Sequence, residues 1–343
     1  MSTETADART STPPRQAPFG SVLTQLMSVA WFREGMWAAE RLEKTAPLPI
    51  HPAAHALHYG SACFEGFKAY RRHDGGIHVF RLDRHVERLR QSARALLLPE
   101  PDTAQVMRMV LALIDRCRND VPEAPGALYL RPVLFGTEPN IGGAGTPTRE
   151  ACLVVLASPV WDYFAGGMKP LRIYVELSAR TAPHLGVVKT GGNYAAALGP
   201  TLAARRDYRA DQVLFCPAGE VQETGAANFL LFRDKQILTR SLDATFLHGV
   251  TRDSLLTLAR HLGYEVSERV FTIDETLEWV TDGEAAISGT AAVLTGIGTL
   301  IHRGRDCRVG TGEVGPITIA LRKALVEVQR GDSPDRFGWL TPV

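Results

Sequence analysis

The sequence predicts an α+β fold made of two mixed α/β domains, and three observations support it. Strand-like apolar runs and helix-like apolar spacings occur in both halves of the chain. The segment 160–170 combines aromatic residues with glycine and proline near the midpoint, as an interdomain connection does. The length of 343 residues suffices for two cores. We therefore predict a disordered tail at 1–18, a smaller N-terminal α/β domain at 19–160, an interdomain loop at 161–170 and a larger C-terminal domain at 171–343.

The predicted elements of the N-terminal half alternate between strands and helices. A strand at 77–80 leads to Asp83, a plausible N-cap, and then to a helix. A second helix follows, and then strands at 127–135 and 152–158. The helices are predicted from apolar residues three or four positions apart, namely Val86, Leu89, Ala93 and Leu97 in the first and Val106, Val110, Ile114 and Cys117 in the second.

The C-terminal half mixes the same two kinds of element. Strands are predicted at 171–177, 212–216, 228–232, 236–239 and 284–287. Helices are predicted from Asn193 onward, at 251–261 with Gly263 as the C-cap, and at 317–328. Pro200 predicts a kink or an early end in the first of these helices, because proline removes a helical hydrogen bond.

Composition excludes several classes of protein. Lys plus Arg number 38 and Asp plus Glu 37, and a net charge of +1 offers no field for nucleic acid or an anionic membrane. No apolar run reaches the length of a membrane span, and the N-terminus lacks the apolar core of a secretory signal. The five cysteines are scattered without disulfide or zinc spacing, which predicts reduced thiols, no metal site and a cytoplasmic location.

One lysine has a setting that suits covalent chemistry. Lys189 stands beside Gly191 and Gly192, just before a predicted helix, where glycine lets backbone approach a ligand closely. A lysine in an apolar surround can act as a nucleophile and form a Schiff base. Taken alone, this lysine is more readily interpreted as a surface residue in a turn.

Three further segments could complete a site. Glu223 is a carboxylate at a strand end backed by small residues, and residues 247–253 lead into a helix whose N–H groups could bind phosphate. Residues 288–292 combine hydroxyls and small side chains after a strand, where a second anion could bind. Each segment alone could be an ordinary turn or cap. The glycine-rich segments 140–145 and 310–315 are predicted to be turns, since neither has the pattern of a phosphate loop.

Taken in order, these segments resemble the branched-chain amino acid aminotransferases, which are fold-type IV pyridoxal-phosphate enzymes. The resemblance extends from about Phe19 to Leu340. It rests on the segments 58–60, 64–66, 129–132, 189–194, 223–228, 249–253, 288–292 and 337–340, together with Arg88. Because the motifs occur in the right order over most of the chain, the resemblance implies the fold of that family and transamination of leucine, isoleucine or valine with 2-oxoglutarate.

The resemblance also implies a cofactor, pyridoxal 5′-phosphate, and roles for its ligands. Lys189 would bind the cofactor covalently and move the proton at the substrate Cα. Glu223 would lie at the pyridine nitrogen and keep it protonated. Arg88 would bind the phosphate and Tyr194 would lie near the phenolic oxygen. The other cofactor-binding residues implied are Gly225, Asn228, Leu247, Gly249, Val250, Thr251, Gly289 and Thr290.

On the substrate side, the resemblance implies an apolar pocket that also accepts an acidic side chain. Ala291 and Ala292 would bind the α-carboxylate through their backbone, and Arg131 would meet the γ-carboxylate of glutamate. The pocket walls would be Phe64, Tyr129 and Tyr163. Tyr59 would reach the site of a neighbouring subunit, which implies a homodimer or a multiple of dimers. An amino acid and a 2-oxo acid are the expected partners.

Some residues depart from the usual family pattern. His248 stands where a proline is usual, Ala227 where some bacterial members carry glutamate, and Lys68 where other members carry arginine. Trp161 and Asp162 replace Gly-Ala before Tyr163. These departures leave open an enzyme specialised for an unusual aliphatic amino acid. Relatives with the same fold, namely D-amino acid aminotransferases, (R)-amine transaminases and aminodeoxychorismate lyase, also stay open.

Overall fold

The computed structural model describes residues 17–161 and 168–343 of the chain. The predicted tail therefore falls outside the described residues apart from its last two positions, as do Asp162, Tyr163 and most of the interdomain loop. The elements before the loop are β1 (Leu26–Arg33), β2 (Met36–Trp37), β3 (Arg41–Lys44), α1 (His55–Tyr59), β4 (Ala62–Phe64), β5 (Phe67–Arg71), β6 (Ile77–Phe80), α2 (Leu82–Ala95), α3 (Thr103–Arg116), β7 (Ala127–Gly136) and β8 (Ala151–Val160).

The elements after the loop begin at Leu171, and ten residues separate it from Val160. They are β9 (Leu171–Glu176), α4 (Gly191–Tyr208), β10 (Gln212–Phe215), β11 (Asn228–Arg233), β12 (Gln236–Thr239), α5 (Val250–His261), β13 (Glu265–Glu268), α6 (Ile273–Trp279), β14 (Glu284–Gly289), β15 (Val293–His302), β16 (Arg305–Arg308), α7 (Pro316–Arg330) and β17 (Leu340–Pro342).

The strands form two sheets. The nine-stranded sheet has the order β17-β6-β5-β7-β8-β1-β2, with β3 on β1 and β4 on β7. The eight-stranded sheet has the order β10-β9-β15-β14-β11-β12-β13, with β16 on β15. The final strand β17 pairs antiparallel with β6, so the end of the chain returns to the first sheet. The predicted mixture of strands and helices on both sides of the loop is confirmed, and the domain boundaries stay a prediction.

The helices cover the sheets through buried apolar faces. In the first sheet, α2 and α3 pack on one face and bury Val86, Leu89 and Val110. In the second sheet, α5 and α7 bury leucines against β11 and β14. The cluster under α5 and α7 also contains Phe80 and Tyr129 of the first sheet, so one core joins the two sheets.

Two local predictions about α2 are wrong. The helix begins at Leu82 after Arg81, not after Asp83, which lies in the first turn. Arg81 has a φ of 52° and makes no side-chain cap; its guanidinium instead reaches Asp253 at 2.8 Å. A contact with a distant helix therefore fixes the start of α2. Leu97 lies beyond the helix end at Ala95 and is 65% exposed.

The predicted early end at Pro200 is also wrong, because α4 runs through this proline to Tyr208, and the alternative of a kink stays a prediction. Ala196, whose carbonyl loses its helical partner at Pro200, is exposed, so solvent can satisfy that carbonyl. At the end of α5 the C-cap is Leu262, and Gly263 follows it with a φ of 80°. Gly263 is therefore the residue after the C-cap and not the C-cap itself, and it supplies the left-handed conformation that often follows a helix end.

Candidate active site

Lys189 lies in the segment before α4, and its backbone is tied to the first sheet. The N–H of Phe64 donates to the carbonyl of Lys189 at 3.0 Å, and the N–H of Lys189 donates to the hydroxyl of Ser92 at 3.1 Å. The hydroxyl of Thr190 donates to the carbonyl of Ala62 at 2.8 Å. A lysine of the C-terminal half is therefore held on β4 and α2, at the junction between the two sheets.

The ammonium of Lys189 is surrounded by aromatic rings. Its Nζ donates to the Tyr194 hydroxyl at 2.8 Å and lies 5.1 Å from the ring centroid of Phe64. The rings of Phe64 and Tyr194 are 5.2 Å apart and enclose the lysine from two sides. The hydrogen bond to Tyr194 fixes the direction in which Nζ points, which is what a positioned nucleophile or base requires.

Glu223 is buried and its carboxylate is fully engaged. Arg180 donates to Oε1, and the N–H of Leu247 donates to the same oxygen at 3.0 Å. The amide of Asn228 donates to Oε2 at 3.3 Å and to the carbonyl of Leu247 at 2.8 Å. Burial raises the pKa of Glu223 to about 7, against the opposing effects of Arg180, the Leu247 N–H and Lys189. A cationic group placed beside this carboxylate would favour its ionised form.

Arg88 is buried on α2 and held by a carboxylate. Its Nε and Nη2 donate to Oε1 and Oε2 of Glu65 at 2.6 and 3.0 Å, and its Nη1 donates to the carbonyl of His248 at 2.9 Å. His85 lies on the other side of Glu65, at 2.8 Å. Burial alone would raise the pKa of Glu65, but Arg88 and His85 outweigh it and hold that pKa well below its usual range. The guanidinium therefore has a fixed orientation and a permanent ionic partner.

The N-terminus of α5 lies next to Arg88. Gly249 is the N-cap, with a φ of −68°, and among the described residues no side chain caps the first N–H groups of this 12-residue helix. A Cβ at Gly249 would lie 2.0 Å from Oδ1 of Asn228, so only glycine fits there. Because Arg88 bonds the carbonyl just before this N-cap, a guanidinium and a helix N-terminus meet at one point, an arrangement suited to a phosphate.

A turn between β14 and β15 contains the residues predicted to bind carboxylate. Thr290, Ala291 and Ala292 form this turn and are partly exposed. Just before it, the hydroxyl of Ser288 is buried with no hydrogen-bond partner among the described residues. The turn thus brings small side chains and backbone groups to the junction between the sheets, with the buried Ser288 hydroxyl just before it.

The predicted substrate walls lie together on β4 and β7. The guanidinium of Arg131 lies 4.6 Å from the ring of Phe64, and its Nη2 donates to the Tyr129 hydroxyl at 2.8 Å. A Cβ at Gly66 would lie 1.9 Å from the Tyr129 hydroxyl, so the glycine lets the tyrosine lie against the backbone. Stacked on aromatic rings, Arg131 is a cation within an apolar wall. Tyr163 lies outside the described residues.

Two predicted residues have other surroundings. The hydroxyl of Tyr59 donates to the carbonyl of Ile141, on a surface where Ile141 and Leu57 are 73% and 66% exposed. The ring of His248 hydrogen-bonds to the carbonyl of Asp243 at 2.8 Å, and its own carbonyl accepts from Arg88. This departure therefore acts at the Arg88 side of the site and not at the apolar wall.

Sequence reasoning missed three side chains that support the site. Arg180 pairs with Glu223, Glu65 pairs with Arg88, and His85 contacts Glu65. Glu65 lies in the segment 64–66, which was recognised as a motif, but no role was assigned to it. Its position in that motif was the signal in the sequence that could have identified it. Arg180 stands 43 residues before Glu223 with no motif around it, and only the fold brings them together.

This fold and site define the class of the protein. Residues 62–298 match the family model of the amino-transferases of class IV, which is more than half of the chain. The matched segment includes Arg88, Lys189, Glu223 and the turn at 290–292. No helix among the described residues is long and apolar enough to cross a membrane.

Curated relatives narrow the class. The chain is 39% identical over 339 residues to a probable branched-chain-amino-acid aminotransferase of Streptomyces coelicolor, covering 94% of this chain and 91% of that protein. It is 36% identical to branched-chain-amino-acid aminotransferase 2 of Bacillus subtilis, covering 96% and 93%. The protein belongs to the branched-chain-amino-acid aminotransferases of class IV.

Solved structures agree with this assignment. The branched-chain amino acid aminotransferase of Escherichia coli has 28% sequence identity and a TM-score of 0.73, with 91% of this chain and 98% of that chain covered. The enzyme of Thermoproteus uzoniensis, solved with norvaline, has 27% identity and a TM-score of 0.76, with 92% and 99% covered. The predicted fold-type IV architecture is thereby confirmed.

Proposed function

We propose that the protein transfers the amino group of L-leucine, L-isoleucine or L-valine to 2-oxoglutarate, giving the branched 2-oxo acid and L-glutamate, with pyridoxal 5′-phosphate as cofactor. The observation that carries the proposal is the placement of Lys189 between Tyr194 and Phe64 at the junction of the two sheets. Relatives at 28% identity that were solved with pyridoxamine 5′-phosphate and with N-(5′-phosphopyridoxyl)-L-glutamate support the cofactor and the acceptor.

The described residues fit this cofactor at both of its polar ends. A dianionic phosphate would be bound by Arg88 and by the uncapped N–H groups at Val250 and Thr251. At the opposite end, Glu223 would hold the proton of the ring nitrogen, and Arg180 and Asn228 keep that carboxylate in place. Once bound, the cofactor supplies an electron sink for the substrate Cα.

The reaction then depends on where this chain places a proton and two carboxylates. With the cofactor bound, Nζ of Lys189 would be the base that moves the proton of the substrate Cα, and the Tyr194 hydroxyl orients this nitrogen. The backbone of Ala291 and Ala292 binds the α-carboxylate. For glutamate, Arg131 meets the γ-carboxylate, while Phe64 and Tyr129 contact an aliphatic side chain in the other half-reaction.

The decisive experiment removes the lysine. Purified protein loaded with pyridoxal phosphate should show the absorption band of the covalently bound cofactor, and Lys189→Ala should abolish that band together with transamination. Lys235→Ala is a matched control, because Lys235 is a lysine of the turn between β11 and β12 that contacts Tyr264 far from the site. A band that persists in Lys189→Ala would contradict the proposal.

We also propose the assembly and location that the family resemblance implied. The exposed side chains of Leu57 and Ile141 beside Tyr59 support a homodimer or a multiple of dimers, because a second copy would bury this apolar surface. Light scattering that finds only a monomer would contradict this. A cytoplasmic location is supported by five free cysteines, of which four are buried. The domain boundaries at 160 and 171 are proposed on the ends of β8 and β9.

A specialised substrate is a second candidate, because Trp161 stands at the start of the interdomain loop, where family members usually carry a smaller residue. The side chain of Trp161 packs against Gly126, whose added Cβ would lie 3.0 Å from the indole. Steady-state kinetics over a panel of aliphatic 2-oxo acids distinguish the two. Poor turnover of all three branched substrates would favour the specialised enzyme.

A further inference from the structure

Two cations lie behind the turn that is proposed to bind the substrate α-carboxylate. Lys68 on β5 donates from Nζ to the carbonyl of Ala291 at 3.1 Å. Arg322 on α7 donates from Nη1 to the carbonyl of Ala292, and to that of Leu294 at 3.0 Å. The two cations, here called the carbonyl clamp, reach the same turn from positions 254 residues apart in sequence.

The turn that the carbonyl clamp holds is strained. Val293, which follows Ala292, has a φ of 60°, in the left-handed region that β-branched residues avoid. Such a conformation persists only where surrounding contacts determine it. Two charge-assisted hydrogen bonds on successive carbonyls provide such contacts, and the hydroxyl of Thr295 adds a third at 3.4 Å to the Ala292 carbonyl.

Lys68 also determines the direction in which one N–H group of the turn points, that of Ala292. The carbonyl of Ala291 and the N–H of Ala292 belong to one trans peptide unit, so they point in opposite directions. With Lys68 on the carbonyl, the N–H of Ala292 faces away from Lys68. Within residues 17–161 and 168–343, neither the Ala291 nor the Ala292 N–H donates to a protein group, which leaves both able to bind an anion. Lys68, on the Ala291 carbonyl, also polarises this peptide and strengthens the Ala292 N–H as a donor. Arg322 is bonded to the next carbonyl, that of Ala292, and holds the turn in place.

Arg322 is held firmly enough to act in this way. Its neighbours Leu321 and Leu325 on α7 are fully buried in the core that also contains Val293 and Leu294. The helix and the turn therefore share one packed cluster, which keeps the backbone of Arg322 at a fixed distance from the two carbonyls that its side chain contacts.

We propose that Lys68 and Arg322 are positioning residues of the Ala291–Ala292 turn, and that they thereby confer selectivity for substrates with an α-carboxylate. Lys68 orients and polarises the Ala292 N–H, and Arg322 holds the turn in place. This inference rests on the proposed function, since it takes the turn to be the carboxylate site. A direct consequence is that the clamp matters for ligands with a carboxylate and not for neutral ligands of the same shape.

The test compares two probes on the enzyme loaded with pyridoxal phosphate. The probes are 4-methylvaleric acid, with which a relative at 28% identity was solved, and its neutral amide, 4-methylpentanamide. Their dissociation constants are read from the change in the absorption band of the bound cofactor. In Arg322→Gln we expect the constant for the acid to rise about tenfold or more, since a hydrogen-bonded charge is lost, and that for the amide to change less than about twofold. Arg322→Lys should recover most of the loss.

A matched control and a second variant complete the experiment. Lys323 lies on the same helix, and its 77% exposed side chain pairs with Glu327 at 4.0 Å, so Lys323→Gln should leave both constants unchanged. Lys68→Gln should weaken the acid and not the amide. Equal weakening of both probes by Arg322→Gln, or no weakening of either, would overturn the inference. If the unaltered protein shows no cofactor band, or has a band that neither probe changes, the proposed function fails, and the inference fails with it.

Discussion

Replacing Glu65 by glutamine tests how the predicted phosphate-binding arginine is held in place. Glu65 is completely buried and accepts two hydrogen bonds from Arg88, at 2.6 and 3.0 Å, and one from His85 at 2.8 Å. Glutamine keeps the shape but loses the charge, which leaves a buried guanidinium without its ionic partner. Breaking a buried pair on one side costs about 3–5 kcal/mol, so we expect the unfolding free energy to fall by about that amount.

The assay is urea unfolding, with a double-mutant cycle to isolate the pair. The double variant Glu65→Gln/Arg88→Gln should be less destabilised than the sum of the single variants by at least about 2 kcal/mol. Glu87→Gln is the control, because this glutamate of α2 has a 54% exposed side chain and its pairs should contribute less than about 1 kcal/mol. Additive single effects, or a loss no larger than that of the control, would refute the reasoning.

The pH dependence of this effect has a definite sign. Because the pKa of Glu65 is held below the ordinary value of 4.5, its stabilising contribution is present above pH 4.5 and is lost as the pH falls toward the lowered pKa. The stability difference between the unaltered protein and Glu65→Gln should therefore be constant from neutral pH down to about 5 and shrink only in stronger acid.

Two other substitutions probe the ring-nitrogen carboxylate and the apolar wall. In cofactor-free protein, the pKa of Glu223 is raised from 4.5 to about 7, so the stability that this group contributes is present below pH 4.5 and is lost as the pH rises through 7. Between pH 5 and 8, urea or thermal unfolding should therefore show that the free energy of unfolding of the unaltered protein falls by roughly 3 kcal/mol relative to that of Glu223→Gln. The same pH dependence in both proteins would contradict this. Gly66→Ala would place a Cβ 1.9 Å from the Tyr129 hydroxyl, so we expect the free energy of unfolding to fall by about 1–3 kcal/mol and the KM for leucine to rise. Gly145→Ala is the control, because a Cβ there would have no described atom within 4 Å, and it should change neither quantity.

The sequence predicted the fold well where the pattern is local. The helices α2 and α3 and the strand β7 follow from apolar residues at helical or alternating spacing, and the structure confirms them. Prediction from the sequence failed where a contact with a distant part of the chain determines where an element begins. Arg81 begins α2 because its side chain pairs with Asp253, and no feature near Arg81 in the sequence indicates that.

The candidate site was predicted in the same uneven way. Lys189 and Tyr194 lie five residues apart at a helix start, so a local motif sufficed to place them together. The side chains that hold the polar groups of the site come from elsewhere in the chain. Arg180 pairs with the carboxylate of Glu223, and Arg322 donates to the carbonyl of Ala292. Tyr163 and most of the interdomain loop lie outside the described residues, so the role of that tyrosine stays a prediction.

The central claim is that the junction around Lys189 transaminates branched-chain substrates. It is tested most directly by kcat/KM for a panel of L-amino acids with 2-oxoglutarate as acceptor, in the unaltered protein and in Lys189→Ala. The account predicts that leucine, isoleucine and valine are the best substrates and that Lys189→Ala abolishes turnover of all of them. Poor turnover of all three by the unaltered protein, or activity that survives without Lys189, would contradict it.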